Sequence, residues 1–235
     1  MRKRSRWGGR TRQLLVIWAL LGTGTLSACN LSDCGSGSDS KECINGSGKV
    51  ISQPRTVGAF TAIDLDSIGT LIVDRTGTYS LTVTTDDNLQ SIVTSEVKNG
   101  TLVLAESGCH NCSPTKIAFK VTVGDLSKID MPSTGDASIT NLNEPSFAAD
   151  MAGTGSLTLS GKTDLLKIDL SGTGSCDAHN LAAMRATVDI DGTGSVRVNA
   201  NSELDGKVSG TGSIHYTGSP KVSQKISGTG SIKRE

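Results

Sequence analysis

Gly153-Thr154-Gly155-Ser156 returns as Gly172 to Ser175, Gly192 to Ser195, Gly210 to Ser213 and Gly228 to Ser231. The intervals between the central threonines are 19, 20, 18 and 18 residues, and a degenerate copy, Ser133-Thr134-Gly135-Asp136, lies 20 residues before the first. A short motif at a nearly fixed interval marks one unit copied and stacked, which makes a solenoid. Extended chain rises about 3.3 Å per residue, so such a unit has a perimeter of roughly 60 Å, enough for three sides of one short strand each. The expectation is an all-β, right-handed parallel β-helix whose six rungs are 18–20 residues long, the handedness following the rule for parallel crossovers.

The residues between the motifs fit that unit. Ile168 and Leu170 before one corner, Val188 and Ile190 before the next, and Leu157 with Leu159 or Val196 with Val198 after corners, are apolar at a spacing of two, which puts them on one face. Asp169, Asp189 and Arg197 alternate with them and point outward. The paired glycines, Gly153 and Gly155, Gly172 and Gly174, Gly192 and Gly194, Gly210 and Gly212, Gly228 and Gly230, are read as corner turns that use positive φ and let rungs approach closely.

Composition agrees with thin, closely spaced layers. Aromatic residues make up 3% of the 235 residues while glycines number 28, so the core must be built from aliphatic side chains and alanine. Net charge is zero, but Arg2, Lys3, Arg4, Arg6, Arg10 and Arg12 lie in the first 28 residues with no acid; the remaining 17 basic residues face 23 acidic ones, a net of −6. That balance argues against a nucleic-acid partner, which needs clustered cations.

Those six cations precede an apolar run, Leu14 to Leu21, and then Leu26-Ser27-Ala28-Cys29. Charged, apolar and small-residue regions in this order form an export signal, and the run is too short for the roughly 20 residues of a membrane-spanning helix. Residues 1–28 are therefore expected to be a lipoprotein signal peptide, Cys29 to carry the lipid anchor, and the protein to sit in the bacterial cell envelope. Asn30, a non-acidic residue after the cysteine, favours the outer membrane. Residues 29–47 read as a flexible tether. Cys34 and Cys43 are expected to pair in this oxidising compartment, with a metal pair as the alternative.

From Lys49 to Asp125 the pattern is strand-like but less regular. Phe60, Ile63 and Leu65 precede a turn near Ser67 to Gly69, Asp86-Asp87-Asn88 ends another segment, Asn99-Gly100 is a hairpin signal, and Ile117 to Val123 alternates cleanly. Asn88 to Val97 has room for a short helical turn.

The lipobox, the tether, the Phe60 to Ile63 opening, Gly69, Asp86-Asp87-Asn88, Asn99-Gly100-Thr101-Leu102 and the serial Ser-Gly-Thr-Gly-Ser rungs together resemble the head GIN domain, described as an autotransporter adhesin head, over about Gly48 to Glu235. The resemblance implies a β-helical envelope protein and brings no catalytic residues.

Other candidate chemistry is weak. Cys109-His110-Asn111-Cys112 could be a redox pair, a zinc half-site or a small disulfide; no helix follows it to lower a thiol pKa, so a disulfide is expected. Cys176 reads as a small buried apolar residue. Gly46-Ser47-Gly48-Lys49 echoes a phosphate loop but is followed by Val50. Asp136 and Asp191 are too isolated for calcium-binding repeats, and His179 and His215 have no matched partner. No cofactor and no metal are expected.

A non-catalytic surface module for adhesion or structure, contacting polysaccharide or another surface protein, is the leading expectation. An enzyme cleaving envelope or extracellular polysaccharide is the alternative. Three or more acids, arginines or lysines around one cleft would favour the enzyme, and a featureless face would disfavour it. Ice binding would want two threonine ranks where the motif supplies one. The charged finish Lys233-Arg234-Glu235 should discourage end-to-end stacking.

Overall fold

The computed structural model describes residues 44–107 and 112–235. Residues 1–28, expected to be a signal peptide, and Cys29, Cys34, Cys43 and Cys109 lie outside the described residues. Cys112 is placed by its backbone alone.

The chain runs through β1 (Ile44–Asn45), β2 (Val50–Arg55), β3 (Ala62–Asp66), β4 (Thr70–Arg75) and β5 (Ser80–Asp86) to a 3-10 turn at Asp87–Leu89. It continues through β6 (Val93–Lys98), β7 (Thr101–Glu106), β8 (Cys112–Ser113), β9 (Ile117–Val123) and β10 (Lys128–Met131). The regular coils follow as β11 (Asp136–Met151), β12 (Ser156–Leu170), β13 (Ser175–Ile190), β14 (Ser195–Val208), β15 (Ser213–Thr217), β16 (Lys221–Ile226) and β17 (Ser231–Arg234). Their parallel pairing builds a β-solenoid.

Each regular coil has three paired sides. In β11 and β12 the first joins Ala137–Ile139 to Leu157–Leu159, a short second joins Leu142–Glu144 to Gly161–Thr163, and a third joins Ser146–Met151 to Leu165–Leu170. The sides are not separate strands. β11 to β14 are 14 to 16 residues long and bend within themselves, with register shifts at the bends, so only the Gly-Thr-Gly-Ser corner separates one strand from the next.

The period-two pattern does what alternation requires. Leu157, Leu159, Ile168, Leu170, Val188, Ile190, Val196 and Val198 are all buried. All three phenylalanines, Phe60, Phe119 and Phe147, are buried too, widening a core otherwise filled by aliphatic side chains.

The corner glycines meet the expectation of close approach between coils but not that of positive φ. Of the ten, only Gly228 has a positive φ, 148°. What they supply is room: a Cβ on Gly153 would overlap the Ser133 carbonyl oxygen, one on Gly172 that of Gly153, and one on Gly192 that of Gly172. The space lost is to backbone, which cannot rotate away.

The first part of the fold does not follow sequence order. β4 lies between β9 and β11, and β3 between β7 and β10, so the coil made by β3 and β4 is inserted beneath one that follows it in the chain. Antiparallel strands finish this end: β5 pairs with β9 and β2, and β6 pairs with β7 through the Asn99-Gly100 turn, where φ is 51° and 79°. These are the two positive φ values that a tight hairpin demands.

The last residues of the stretch read as a tether are docked. β1 pairs in parallel with β8, and the phosphate-loop-like segment holds a turn. Ser47 donates its N–H to Asn88 Oδ1 at 3.0 Å and its hydroxyl to Asp87 Oδ1 at 2.6 Å, while the Gly48 N–H reaches Asp86 Oδ1 at 2.8 Å. Burial pushes the Asp86 carboxyl up, but hydrogen bonds from Thr115 and Gly48 outweigh it and hold it below the usual carboxylate range.

Candidate binding surface

The corners stack into one exposed edge. Thr134, Thr154, Thr173, Thr193, Thr211 and Thr229 all point to solvent, one per coil. Counting back from the Thr70–Asp136 pairing aligns Ile68 with Thr134, so Ser67-Ile68-Gly69 heads the same edge as a seventh corner. Here Ile68 is 56% exposed where the other corners carry threonine. Ser67 is buried and donates to Glu106 Oε1 at 2.5 Å. Burial of Glu106 pushes its carboxyl up, with nearby Asp66 adding to the effect and the Ser67 hydrogen bond opposing it.

The third side carries a charge ladder. Asp64, Asp130, Asp150, Asp169 and Asp189 lie in direct register on neighbouring strands, followed by Lys207 and Lys225. Strand neighbours are about 4.8 Å apart, and like charges directly opposite each other oppose pairing. Lysines relieve part of this: Lys128 meets Asp130 at 2.7 Å, Lys167 meets Asp169 at 2.5 Å and Lys207 meets Asp189 at 2.7 Å. Each lysine is held above its ordinary pKa by the hydrogen bond to its aspartate. Asp64 is pushed up, first by burial, then by Asp130 and Asp66. Among the described residues, no three His, Cys, Asp or Glu side chains are grouped to hold a metal ion.

Beside the ladder runs an open groove of about 550 Å³, lined in part by Leu165, Lys167, Arg185, Glu203 and Asp205. A second, of about 460 Å³, lies over the short side around Lys162, Asp164 and Met184. Leu165 and Met184 are 43% and 49% exposed. The face is therefore not featureless. Four charged side chains border the first groove, though Lys167 is already engaged with Asp169.

The first side ends in a cluster that sequence spacing did not show. Arg197 donates from Nε and Nη2 to the two oxygens of Glu235 at 3.0 and 2.8 Å, and His215 Nδ1 lies 3.7 Å from Glu235 Oε1. Arg197 holds the Glu235 carboxyl below its usual range. His215 thus gains a carboxylate neighbour from the next coil, which a linear spacing rule does not see.

A family model described as "Putative auto-transporter adhesin, head GIN domain" matches residues 59–220. The chain belongs to the head GIN family. No curated protein matches this head GIN chain. Among solved structures it is similar to one described as a putative adhesin from Bacteroides fragilis NCTC 9343, with 26% identity and a TM-score of 0.70, covering 82% of this chain and 100% of that one. It is also similar to a putative lipid binding protein and a putative adhesin from Parabacteroides distasonis ATCC 8503, at 22% and 21% identity with TM-scores of 0.59 and 0.53; each match covers 83% of this chain and all of the other. These two likenesses speak to the fold.

Within the head GIN domain, Cys176 sits buried between Leu157 and Val196 of the neighbouring coils. Burial, with Asp177 adding to it, pushes its thiol up to about 12. It packs as the small apolar residue its position calls for.

The aspartate ladder was readable in principle. Asp130, Asp150, Asp169 and Asp189 are 20, 19 and 20 residues apart, the period of the coil itself. Taken one strand at a time they look like scattered, solvated acids; only alignment on the corner motif brings them into one rank.

Proposed function

We propose that this head GIN protein is a lipid-anchored component of the bacterial cell envelope that acts as a surface binding module, attaching to polysaccharide or to another surface protein without catalysis. The observation that carries this reading is the unbroken exposed threonine edge, Thr134 to Thr229, which offers one hydroxyl per coil along the whole regular stack. A rigid rank of hydroxyls suits repeated contact with a repetitive partner, because each added coil adds a contact at little further cost in order. The family description and the Bacteroides fragilis adhesin likeness support the same class of role.

The test has two arms. Cys29→Ala is expected to move the protein from the membrane fraction to the released fraction, and unchanged retention would reject the anchor. The full chain in detergent is then screened against glycans and envelope proteins; binding that weakens when Thr154, Thr173 and Thr193 are together replaced by alanine is the expected result.

One observation favours a second reading. Lys167, Arg185, Glu203 and Asp205 around one groove meet the condition set above for a polysaccharide-cleaving enzyme. Incubating the full chain with envelope polysaccharides and measuring new chain ends separates the two: none are expected from a binding module.

A further inference from the structure

The charges on the third side form a pattern that is complementary to its own reversal. One column reads Asp169, Asp189, Lys207, Lys225 down four successive coils, and the column at the other end of the same strand segments reads Leu165, Arg185, Glu203, Lys221. Asp169, Asp189 and Lys207 each lie between two buried residues, Leu165, Arg185 and Glu203 each precede one, and the register with Glu203 and Lys207 puts Lys221 and Lys225 on the same outer face. Arg185, Glu203, Lys207 and Lys225 are exposed, and Asp169 and Asp189 are half-exposed.

We propose that this face docks a second copy of the same chain, with the coil order reversed. A two-fold axis parallel to the strands, set between the coil of Asp189 and the coil of Lys207, keeps each column facing itself but inverts its order. Asp189 then meets Lys207 of the partner subunit, Asp169 meets Lys225 of the partner subunit, and Arg185 meets Glu203 of the partner subunit. The symmetry repeats every pair, as an isologous contact must. Keeping the coil order requires an axis along the stack, which sets one column against the other and Lys225 against Lys221 of the partner subunit. Of the nine charged positions on this face, reversal gives six the opposite sign and sets none against its own: Lys221 meets Leu165 of the partner subunit, and in the column between, Lys167 meets Ser223 of the partner subunit and Asp205 meets Thr187 of the partner subunit.

The contact gives the charged groove an occupant that needs no substrate. It also relieves two rungs of the ladder: Asp189 and Asp169, adjacent like charges within one molecule, each meet a lysine of the other. If the chain is anchored as proposed above, reversed coils send the two anchored ends in opposite directions, the arrangement of a contact between facing membranes. That consequence rests on the anchor; the pairing itself does not.

The experiment uses two differently tagged versions of the full chain, co-expressed, extracted in detergent and captured through one tag. Wild type is expected to co-capture wild type at low ionic strength and to lose the partner at high salt, where charge contacts are screened. Lys207→Glu with Lys225→Glu, and separately Asp169→Lys with Asp189→Lys, should each reduce self-capture by at least about tenfold, through like charges facing each other. Mixing the two variants should restore capture, because every reversed charge again meets its opposite. Arg185→Glu and Glu203→Arg, tested the same way, provide an independent swap on the other column, with circular dichroism confirming that each variant folds. Failure of wild type to co-capture, capture insensitive to both reversals, or loss that mixing does not restore would each overturn the proposal. Rescue in the swap alongside membrane retention of Cys29→Ala would leave the pairing standing and remove the anchor.

Discussion

Gly192→Val combined with Gly194→Val is expected to break the stack. A Cβ on Gly192 would overlap the carbonyl oxygen of Gly172, and one on Gly194 would overlap both the Gly174 carbonyl oxygen and a Leu170 methyl group. Forcing bulk into a packed site costs on the order of 3 kcal/mol, and here the neighbour is the backbone of the preceding coil. Two such sites together approach about 6 kcal/mol, a large share of the roughly 5–15 kcal/mol that holds a domain folded. Thermal unfolding should shift down by about 12 to 24 °C or lose its cooperativity. Gly58→Val is the control: nothing lies within 4 Å of its Cβ position and its φ is not in the left-handed region, so its unfolding curve should be unchanged. A double variant that melts with the wild type would show that the coils do not meet at the corner.

The second large effect is expected from Phe147→Ala. Phe147 is fully buried and heads an inward column that continues through Leu166, Ala186, Leu204 and Val222 on successive coils. In a chain with only three phenylalanines, the ring fills volume that aliphatic neighbours cannot reach. Its removal costs about 3–5 kcal/mol in lost transfer energy and residual cavity. Urea and thermal unfolding should register this as a fall of roughly 6 to 20 °C in Tm. An unchanged midpoint would mean that the coils collapse freely onto the space, which stacked, hydrogen-bonded strands should resist.

The regular coils were legible because their two signals coincide. The corner motif gives the length of the coil, and pairs such as Val188 with Ile190 give the face that turns inward. Asn99-Gly100 and the alternation of Ile117 to Val123 were equally plain, since each is a local rule satisfied locally.

What the sequence withheld depends on contacts between distant residues. Ser67-Ile68-Gly69 is a corner of the same edge, but it keeps only one of the motif's two glycines and replaces threonine by Ile68, so it reads as an ordinary turn. The insertion of β3 and β4 beneath the coil of β7 and β9 leaves no trace in a period count, because each strand alternates in the same way whichever neighbour it pairs with. Of the two reasons expected for the corner glycines, close approach between coils holds, and positive φ holds at Gly228 alone. Glycine signals either positive φ or lack of space, and only the position of the next coil decides between them. The Gly46 to Lys49 segment likewise acquires its role from Asp86, Asp87 and Asn88, some 40 residues away, with hydrogen bonds spanning separations of 38 to 41 residues.

Amide hydrogen exchange at the corners tests the central claim, that Gly-Thr-Gly-Ser is a stacked structural corner and not an open ligand loop. The N–H groups of Thr211 and Gly212 both reach the Gly192 carbonyl at 3.1 Å, that of Ser213 reaches Gly194 at 3.2 Å, and those of Thr229, Gly230 and Ser231 repeat the pattern one coil further on at 3.0, 3.1 and 3.2 Å. Groups bonded in this way exchange only when the coils open. The predicted result is protection at these amides comparable with that of the adjoining strands β14 and β15; exchange at the free rate of a solvent-exposed loop would contradict it.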